Sequence, residues 1–369
     1  MKKIRIIGAR GVPATHGGFE VFAEQLSLHL VSKGWQVVVY CQEEGNEPPW
    51  RDEWRGVERI HIPVRQRGPL GTIVFDWLTI RDVVRYKDLC VTCGYNTAVF
   101  CARLRLHGIQ NIISMDGIDW LRSKWGIAAK TWLWLNERAA CWLGNHLIAD
   151  HPEIKKHLST RVYPEKITTI VQGAEPVGQV SETPLEQWGL NSRNYFTLIA
   201  RPEPENSILE IVQGFSKKPR GMKLLVLGNY NRNDAFQRKV LDIASDEVIF
   251  AGAIYDKDVV QSLRSHCTAY FHGHQVGGTN PSLVEAMAAS NAVIAHDNRF
   301  NRWVLGESGC YFSDAESLSC ALEYILSKQD VLETMRAKSY QRYKEEFTWP
   351  HILKQCEELL IPFTENVVQ

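Results

Sequence analysis

The chain has 369 residues, with 42 Lys plus Arg against 42 Asp plus Glu and no net charge, a balance that argues against a dedicated nucleic-acid binder. Its length exceeds what one hydrophobic core supports, so two domains of roughly 150–200 residues are expected. No apolar run approaches the roughly 20 residues needed to span a bilayer, and Met1–Gly8 lacks the long apolar centre of a signal peptide, which together predict a cytoplasmic chain. Nine Cys without a framework fit a reduced setting. The charge is unevenly spread: residues 1–173 carry 23 basic and 17 acidic side chains (23 − 17 = +6), and residues 174–369 carry 19 and 25 (19 − 25 = −6). A basic first half fits an anionic acceptor or a membrane surface, or simply a solvated face.

The first half alternates short apolar runs with longer amphipathic ones, the pattern of a parallel sheet with crossover helices. Strands are predicted at Lys3–Gly8, Gln36–Cys41, Glu58–Pro63, Leu89–Cys93, Asn111–Met115 and His146–Ala149. Helices are predicted at Gly18–Ser32, Thr72–Tyr86, Thr97–His107, Lys130–Trp142 and Pro152–Leu158. Phe19, Phe22, Ala23, Leu26 and Leu30 give the first helix a core-facing stripe. Cys90 and Cys93 form a C-x-x-C inside a predicted buried strand with no second pair, which disfavours zinc or redox chemistry there.

Around Gly173 the pattern gives way to turn formers, Gly-Ala-Glu-Pro-Val-Gly-Gln-Val-Ser-Glu-Thr-Pro, read as a hinge at 174–190 between a first domain (1–173) and a second (191–346). The second domain is predicted to hold strands at Tyr195–Ala200, Lys223–Leu227, Val248–Ala251, Thr268–His272, Ala292–Ala295 and Cys310–Phe312. Helices are predicted between them at Ile208–Ser216, Ala235–Ala244, Asp258–Ser265, Ser282–Ala289 and Ala315–Leu326. Residues 347–369 read as a C-terminal amphipathic helix packing back towards the first domain. The fold class expected is α/β, two doubly wound domains facing a cleft. Ligands then lie at the carboxyl ends of strands, in the loops after Gly8, Met115, Ala200, Gly228 and His272.

Residues 272–297 place a strand, a glycine loop, a helix and another strand in succession. Gly277 and Gly278 let backbone approach a ligand, and Thr279, Asn280 and Pro281 start a helix whose free N–H groups and dipole favour an anion. Glu285, one turn inside, can accept hydrogen bonds from sugar hydroxyls. The first loop, Gly8-Ala-Arg-Gly-Val-Pro-Ala-Thr-His-Gly-Gly-Phe-Glu, lacks a G-x-G-x-x-G, but Gly17 and Gly18 precede a helix in the same way. Asp116 ends a strand beside Gly117, a position for a reacting carboxylate or a turn residue, whereas Asp119 is read as a cap. Arg201 follows the first strand of the second domain and can fork onto a phosphate or pair with Glu203 or Glu205. His272 and His274 flank Gly273 without a completing Asp, Glu or Cys, so no metal is expected. Trp120, Trp125, Trp132, Trp134 and Trp142, mixed with Arg122, Lys124, Lys130 and Arg138, can form an interfacial face, although tryptophans at helical spacing more often fill a core.

Together these residues resemble a family-4 (group 1) glycosyltransferase of the GT-B fold, and more narrowly the DUF1972 branch that includes bacterial rhamnosyltransferases. The resemblance is carried by Gly8–Glu20, by the Asp-Gly-x-x-Trp-x-Arg-x-Lys-Trp element at Asp116–Trp125, and by His272–Met287. The wider family commonly has Lys five residues after the Arg matched by Arg201, where this chain has Asn206. It also carries two Glu eight residues apart, where this chain has Gly277 and then Glu285, the latter resembling the ribose-binding residue. Many members present His where Asp116 stands.

The resemblance implies a retaining, metal-independent transfer, without cofactor, of a sugar from a nucleotide diphosphate to a saccharide acceptor, lipid-diphosphate linked, in synthesis of a bacterial surface polysaccharide such as lipopolysaccharide or capsule. Rhamnose from dTDP-rhamnose is the donor it suggests first. It implies catalytic roles for Asp116 and Arg201. Donor contacts fall to Gly17, Gly18, Arg201, Asn206, His272, Gly277, Gly278, Thr279, Asn280 and Glu285, and an acceptor contact to Glu20. The expected partners are the nucleotide sugar, the acceptor and, peripherally, the inner face of the cell membrane. The alternatives are a nucleotide-sugar epimerase of the same fold and a catalytically silent sugar-nucleotide-binding subunit.

Overall fold

The computed structural model describes residues 2–15 and 17–365, so the last four residues of the anticipated C-terminal segment lie outside it. The chain divides into two compact units, 1–121 with 125–172 and 349–369, and 122–124 with 173–348. Sequence pattern gave no sign that Arg122–Lys124 belong with the second unit or that residues 173–190 count within it.

The first unit contains β1 (Lys3–Ile7), α1 (Gly18–Ser32), β2 (Gln36–Glu44), β3 (Trp50–Trp54), β4 (Val57–Val64), α2 (Gly68–Val83), β5 (Leu89–Cys93), α3 (Cys101–Leu106), β6 (Asn111–Met115), α4 (Ile127–Leu143), β7 (His146–Ala149), α5 (Pro152–Leu158) and β8 (Ile167–Thr169). Its sheet runs β3-β4-β2-β1-β5-β6-β7-β8, parallel except for the β3–β4 hairpin. The central strands are apolar runs without alternation, as strands covered on both faces must be, and β5 and β6 are buried throughout. In α1, Phe22, Ala23, Leu26 and Leu30 face the core as anticipated.

The second unit follows with β9 (Tyr195–Ile199), α6 (Ile208–Ser216), β10 (Lys223–Leu227), α7 (Ala235–Ile243), β11 (Val248–Gly252), α8 (Lys257–Ser265), β12 (Ala269–His272), α9 (Pro281–Ala288), β13 (Val293–His296), α10 (Arg299–Leu305), β14 (Gly309–Phe312), α11 (Ala315–Leu326) and α12 (Gln329–Glu346). Its sheet is wholly parallel, β11-β10-β9-β12-β13-β14. Phe196, Leu198, Phe215, Val226, Phe271 and Ile294 lie at the centre of its core. A last helix, α13 (Trp349–Glu365), returns to the first unit, where it meets α1 and His29 stands 3.0 Å from Glu357.

Two departures from the sequence reading have clear causes. Short β3, Trp-Arg-Asp-Glu-Trp, is an exposed edge strand with no apolar alternation to announce it. In α4 the core side is Leu133, Asn136, Glu137, Ala140 and Cys141, while Trp134 and Trp142 point outward, against the expectation that tryptophans fill the core. Glu137 can be interior because it is surrounded: it accepts from Trp120 Nε1 at 2.9 Å and meets His157 at 3.0 Å and Arg161 at 2.9 Å. Burial works against its charge, but these partners outweigh it and hold the carboxyl below its ordinary value.

Sheet geometry also dictates the first glycine. Gly8 leaves β1 with φ +79°, and a Cβ there would stand 2.5 Å from the carbonyl oxygen of Cys93 on the neighbouring β5. Gly8→Ala therefore combines a left-handed backbone with a clash against rigid main chain, and is expected to cost about 1–3 kcal/mol. A thermal melt indistinguishable from that of the parent would contradict this.

Candidate functional site

In a doubly wound sheet, ligand crevices form where successive connections turn to opposite sides. The first unit has this point between β1 and β5, the second between β9 and β12. Each unit supplies its own set of predicted site residues there.

In the second unit the loop after β9 and the loop after β12 are bonded into one piece. Gln275 N donates to the carbonyl of Glu205 at 2.9 Å, Ser207 Oγ donates to the carbonyl of Gly273 at 2.7 Å, and Gln275 Nε2 donates to Ser207 Oγ at 2.9 Å. These bonds hold Ser207 in a left-handed conformation, φ +48°. A Cβ on Gly273 would overlap the carbonyl oxygen of Asn206. Asn206 is buried, and its Nδ2 donates to the carbonyl of Arg201 at 2.8 Å, so its side chain shapes the loop. Arg201 itself is exposed. The carboxylates that could have quenched it are engaged elsewhere: Glu203 with Lys124 at 3.4 Å, and Glu205 with Ser123 Oγ at 2.6 Å and Arg122 at 3.7 Å. Among the described residues Arg201 has no carboxylate partner.

At the start of α9, Asn280 is the N-cap, its Oδ1 accepting from Ser282 N at 3.1 Å, and Pro281 is the first helical residue. The cap occupies the Asn280 side chain and leaves backbone for a ligand. Neither Gly277 nor Gly278 donates its N–H to a backbone carbonyl among the described residues, and the space in front of Gly277 is open. Thr279 is buried beside them. Glu285 is 45% exposed, with Oε2 held at 2.7 Å by Arg264 of α8. That fixes one oxygen and presents the carboxylate edge to solvent.

His272 is buried and its ring stacks on that of His274, centroids 4.6 Å apart. Neither ring nitrogen of His272 has a hydrogen-bond partner, nor do His274 Nδ1, Glu203 Oε2 and Glu205 Oε1. Burial, then the neighbouring His274, drives His272 well below the usual imidazole range. Burial, then Arg122 and Arg201, pushes His274 down to about 3. Both rings are therefore neutral across the physiological range. Orphaned buried polar atoms concentrated at one loop cluster are a mark of a ligand site. Arg122 has no site role in the sequence reading, where it belongs to a basic face and to the Asp116–Trp125 element, because sequence distance conceals its nearness to the β9 and β12 loops.

In the first unit, Gly17 is the N-cap of α1, in an extended conformation and with open space around it, and Gly18 is the first helical residue. Glu20 is buried and its Oε2 accepts from Thr15 N at 3.3 Å, while Glu24 accepts from Ala14 N at 2.5 Å. Glu20 thus closes the first loop from inside. Asp116 follows β6 half-buried, beside Gly117 at φ +40°. Burial, then the charge of Asp116, pushes the Cys93 thiol up to about 12. Cys90 and Cys93 are both buried and free.

The loop after β5 was absent from the sequence expectation. It lies at the switch point with Asp76 of α2, beside a cavity of about 60 Å³. Thr97 Oγ1 donates to Asp76 Oδ2 at 2.7 Å. A larger cavity, about 460 Å³, lies at the amino ends of β9 and β12, away from these loops.

Residues 1–175 match the family model described as a domain of unknown function, DUF1972, and residues 182–342 match that of glycosyl transferases group 1. The chain belongs to the group 1 glycosyltransferases and has the GT-B fold. Its particular branch is the one whose first half is a DUF1972 domain. No curated protein matches it. Among solved structures it is similar to a sucrose-phosphate synthase from Thermosynechococcus elongatus (TM-score 0.77, 18% identity, 99% of this chain and 100% of that one). It is also similar to Anabaena HepE in complex with UDP and glucose (0.76, 13%, 98% and 100%) and to an α,α-trehalose-phosphate synthase (UDP-forming) from Burkholderia vietnamiensis (0.74, 12%, 98% and 100%).

Asp76 yields a prediction of pH dependence. Burial raises its carboxyl from 3.8 to about 6, against the lowering bond from Thr97. The folded chain therefore keeps this proton where the unfolded chain has lost it, and stability from this group falls as pH rises from about 4 to about 6, then levels. Asp76→Asn should match the parent near pH 4 and exceed it above pH 6 by up to about 2–3 kcal/mol. Denaturation curves for the two chains that stay parallel across this range would refute the assignment.

Proposed function

We propose that the chain moves a sugar from a nucleotide diphosphate to a lipid-diphosphate-linked saccharide in bacterial surface polysaccharide synthesis, with retention at the anomeric carbon and without a metal. The single observation that carries the donor side is the exposed, carboxylate-free Arg201 on a loop bonded to the Gly277–Asn280 helix start. Such a fixed charge and a set of preorganised amides stabilise a leaving diphosphate without reorganising. Arg122, engaged with Glu205 and felt by His274 together with Arg201, supplies the second positive charge where Asn206 replaces Lys. Glu285, steadied by Arg264, accepts from the ribose hydroxyls.

Asp116 is assigned to the sugar or acceptor. With no second carboxylate nominated as a nucleophile among the described residues, departure and attack on one face are favoured: the C1–O bond to the diphosphate breaks, the acceptor oxygen bonds to C1, and the acceptor proton passes to a departing phosphate oxygen. The sugar suggested first is rhamnose from dTDP-rhamnose, on the branch resemblance. Structures of Anabaena HepE in complex with UDP, and with UDP and glucose, support a nucleotide-sugar donor.

The test is a panel of sugar nucleotides, scored by thermal stabilisation and then by product release with lipid-diphosphate acceptors. At least one donor should stabilise the chain, and none doing so would end the proposal. With that donor, Arg201→Ala is expected to lower kcat by about 10²–10³. Arg122→Ala should weaken nucleoside diphosphate binding about tenfold and nucleoside monophosphate binding less. Asp116→Ala should bind donor normally and lose transfer, whereas undiminished transfer would remove Asp116 from the reaction.

A further inference from the structure

The outward side of α4 is unusual for a helix on a water-facing surface. Positions 127, 131, 134, 135, 138 and 142 fall along one stripe at helical spacing, opposite the buried Leu133, Asn136, Glu137 and Ala140. On that stripe Ile127 is 87% exposed, Trp134 39%, Leu135 48% and Trp142 63%. Leu121 just before α4 lies beside Trp134 and is exposed as well. Scattered exposed apolar residues need no explanation, but two indoles and two aliphatic side chains on one helix face do.

On α4 itself the exposed charge is of one sign. The only acidic residue of α4, Glu137, is buried and engaged with His157 and Arg161. Lys130 flanks the stripe and Arg138 lies on it, its guanidinium 3.3 Å from the centroid of the Trp134 ring. At the carboxyl end of the helix Lys166 Nζ donates to the carbonyl of Cys141 at 2.7 Å. Burial, then Arg105, lowers the Lys166 ammonium, and burial, then Arg161, lowers Arg138. Arg105 stands near Lys166, and Arg161 near Arg138, so anionic groups brought to this surface meet several cations at once. A purely apolar partner, or a second copy presenting the same cations, brings no such groups.

We propose that the outward face of α4 docks on an anionic lipid surface, the indoles entering the headgroup region and Arg105, Lys130, Arg138 and Lys166 meeting lipid phosphates. Among the described residues no helix is long and apolar enough to cross a membrane, so the contact is with the interface alone. The inference takes from the lipid-linked acceptor reading only its purpose, and docking is measured without donor or acceptor.

The full chain is sedimented with vesicles of phosphatidylcholine and of phosphatidylcholine containing phosphatidylglycerol. It should bind the anionic vesicles preferentially, and the double variant Trp134→Ala, Trp142→Ala should lose at least about tenfold in partitioning. The double variant Arg105→Glu, Lys130→Glu should lose the preference for anionic lipid. Unchanged melting curves and unchanged nucleotide diphosphate binding show that both variants remain folded and that the donor side is intact. Failure of the parent to sediment with either vesicle overturns the proposal, as does equal sedimentation of the tryptophan variant. So does a parent dimer in light scattering that the tryptophan substitutions dissolve, with no vesicle binding, which would make this face a contact between copies. A chain that binds vesicles yet uses no sugar nucleotide leaves docking in place and removes the reaction, so the two readings fail separately.

Discussion

The donor-side loops depend on one close approach, Gly273 against the carbonyl of Asn206. Because no side chain stands between them, the loops after β9 and β12 meet as backbone on backbone, and Ser207 and Gln275 complete the join with their hydrogen bonds. That join carries Arg201 on one arm and the α9 helix start on the other. A permanently charged side chain and a row of amides thereby belong to one rigid piece rather than two independently moving loops, which is the condition for charge stabilisation that costs no reorganisation.

The same join explains why Asn206 serves where a Lys is commonly found in the wider family. The Asn side chain is buried and holds the main chain of Arg201. Under the proposed function, charge at this point comes from Arg122, remote in sequence. Glu205, whose Oε2 accepts from Ser123 and whose Oε1 faces Arg122 at 3.7 Å, is consequently a positioning residue. The neutral His272–His274 pair adds polar atoms to the cluster without adding charge.

Much of the fold was legible because central parallel strands and amphipathic helices leave strong periodic signals, and α1, β5, β6, β7, α5, α6, β10 and α11 fall where the pattern put them. Elements without such signals escaped. β3 and the three-residue β8 are short edge pieces, α10 is seven residues long, and α12 is rich in charged residues that blur its apolar side. For the site, sequence could mark helix starts and strand ends because glycines, Asn-Pro and Asp-Gly are local signals. It could not mark Asp76, which reads as an ordinary helical position, or Arg122, whose meaning depends on a loop some 80 residues away by the separation of its neighbour Ser123 from Glu205. It also misjudged the tryptophans of α4, because periodicity identifies a face and not what lies opposite it.

The return of α13 to the first unit has a consequence for how the chain comes into being. Trp349, Ile352, Cys356 and Leu360 are buried there, in company with residues that precede position 173. A ribosome synthesises the first 172 residues long before the helix that completes their core, and domains otherwise tend to settle in the order in which they emerge. Until the last turn is made, the first unit must wait with an apolar seam uncovered. The second unit is the part able to finish folding first.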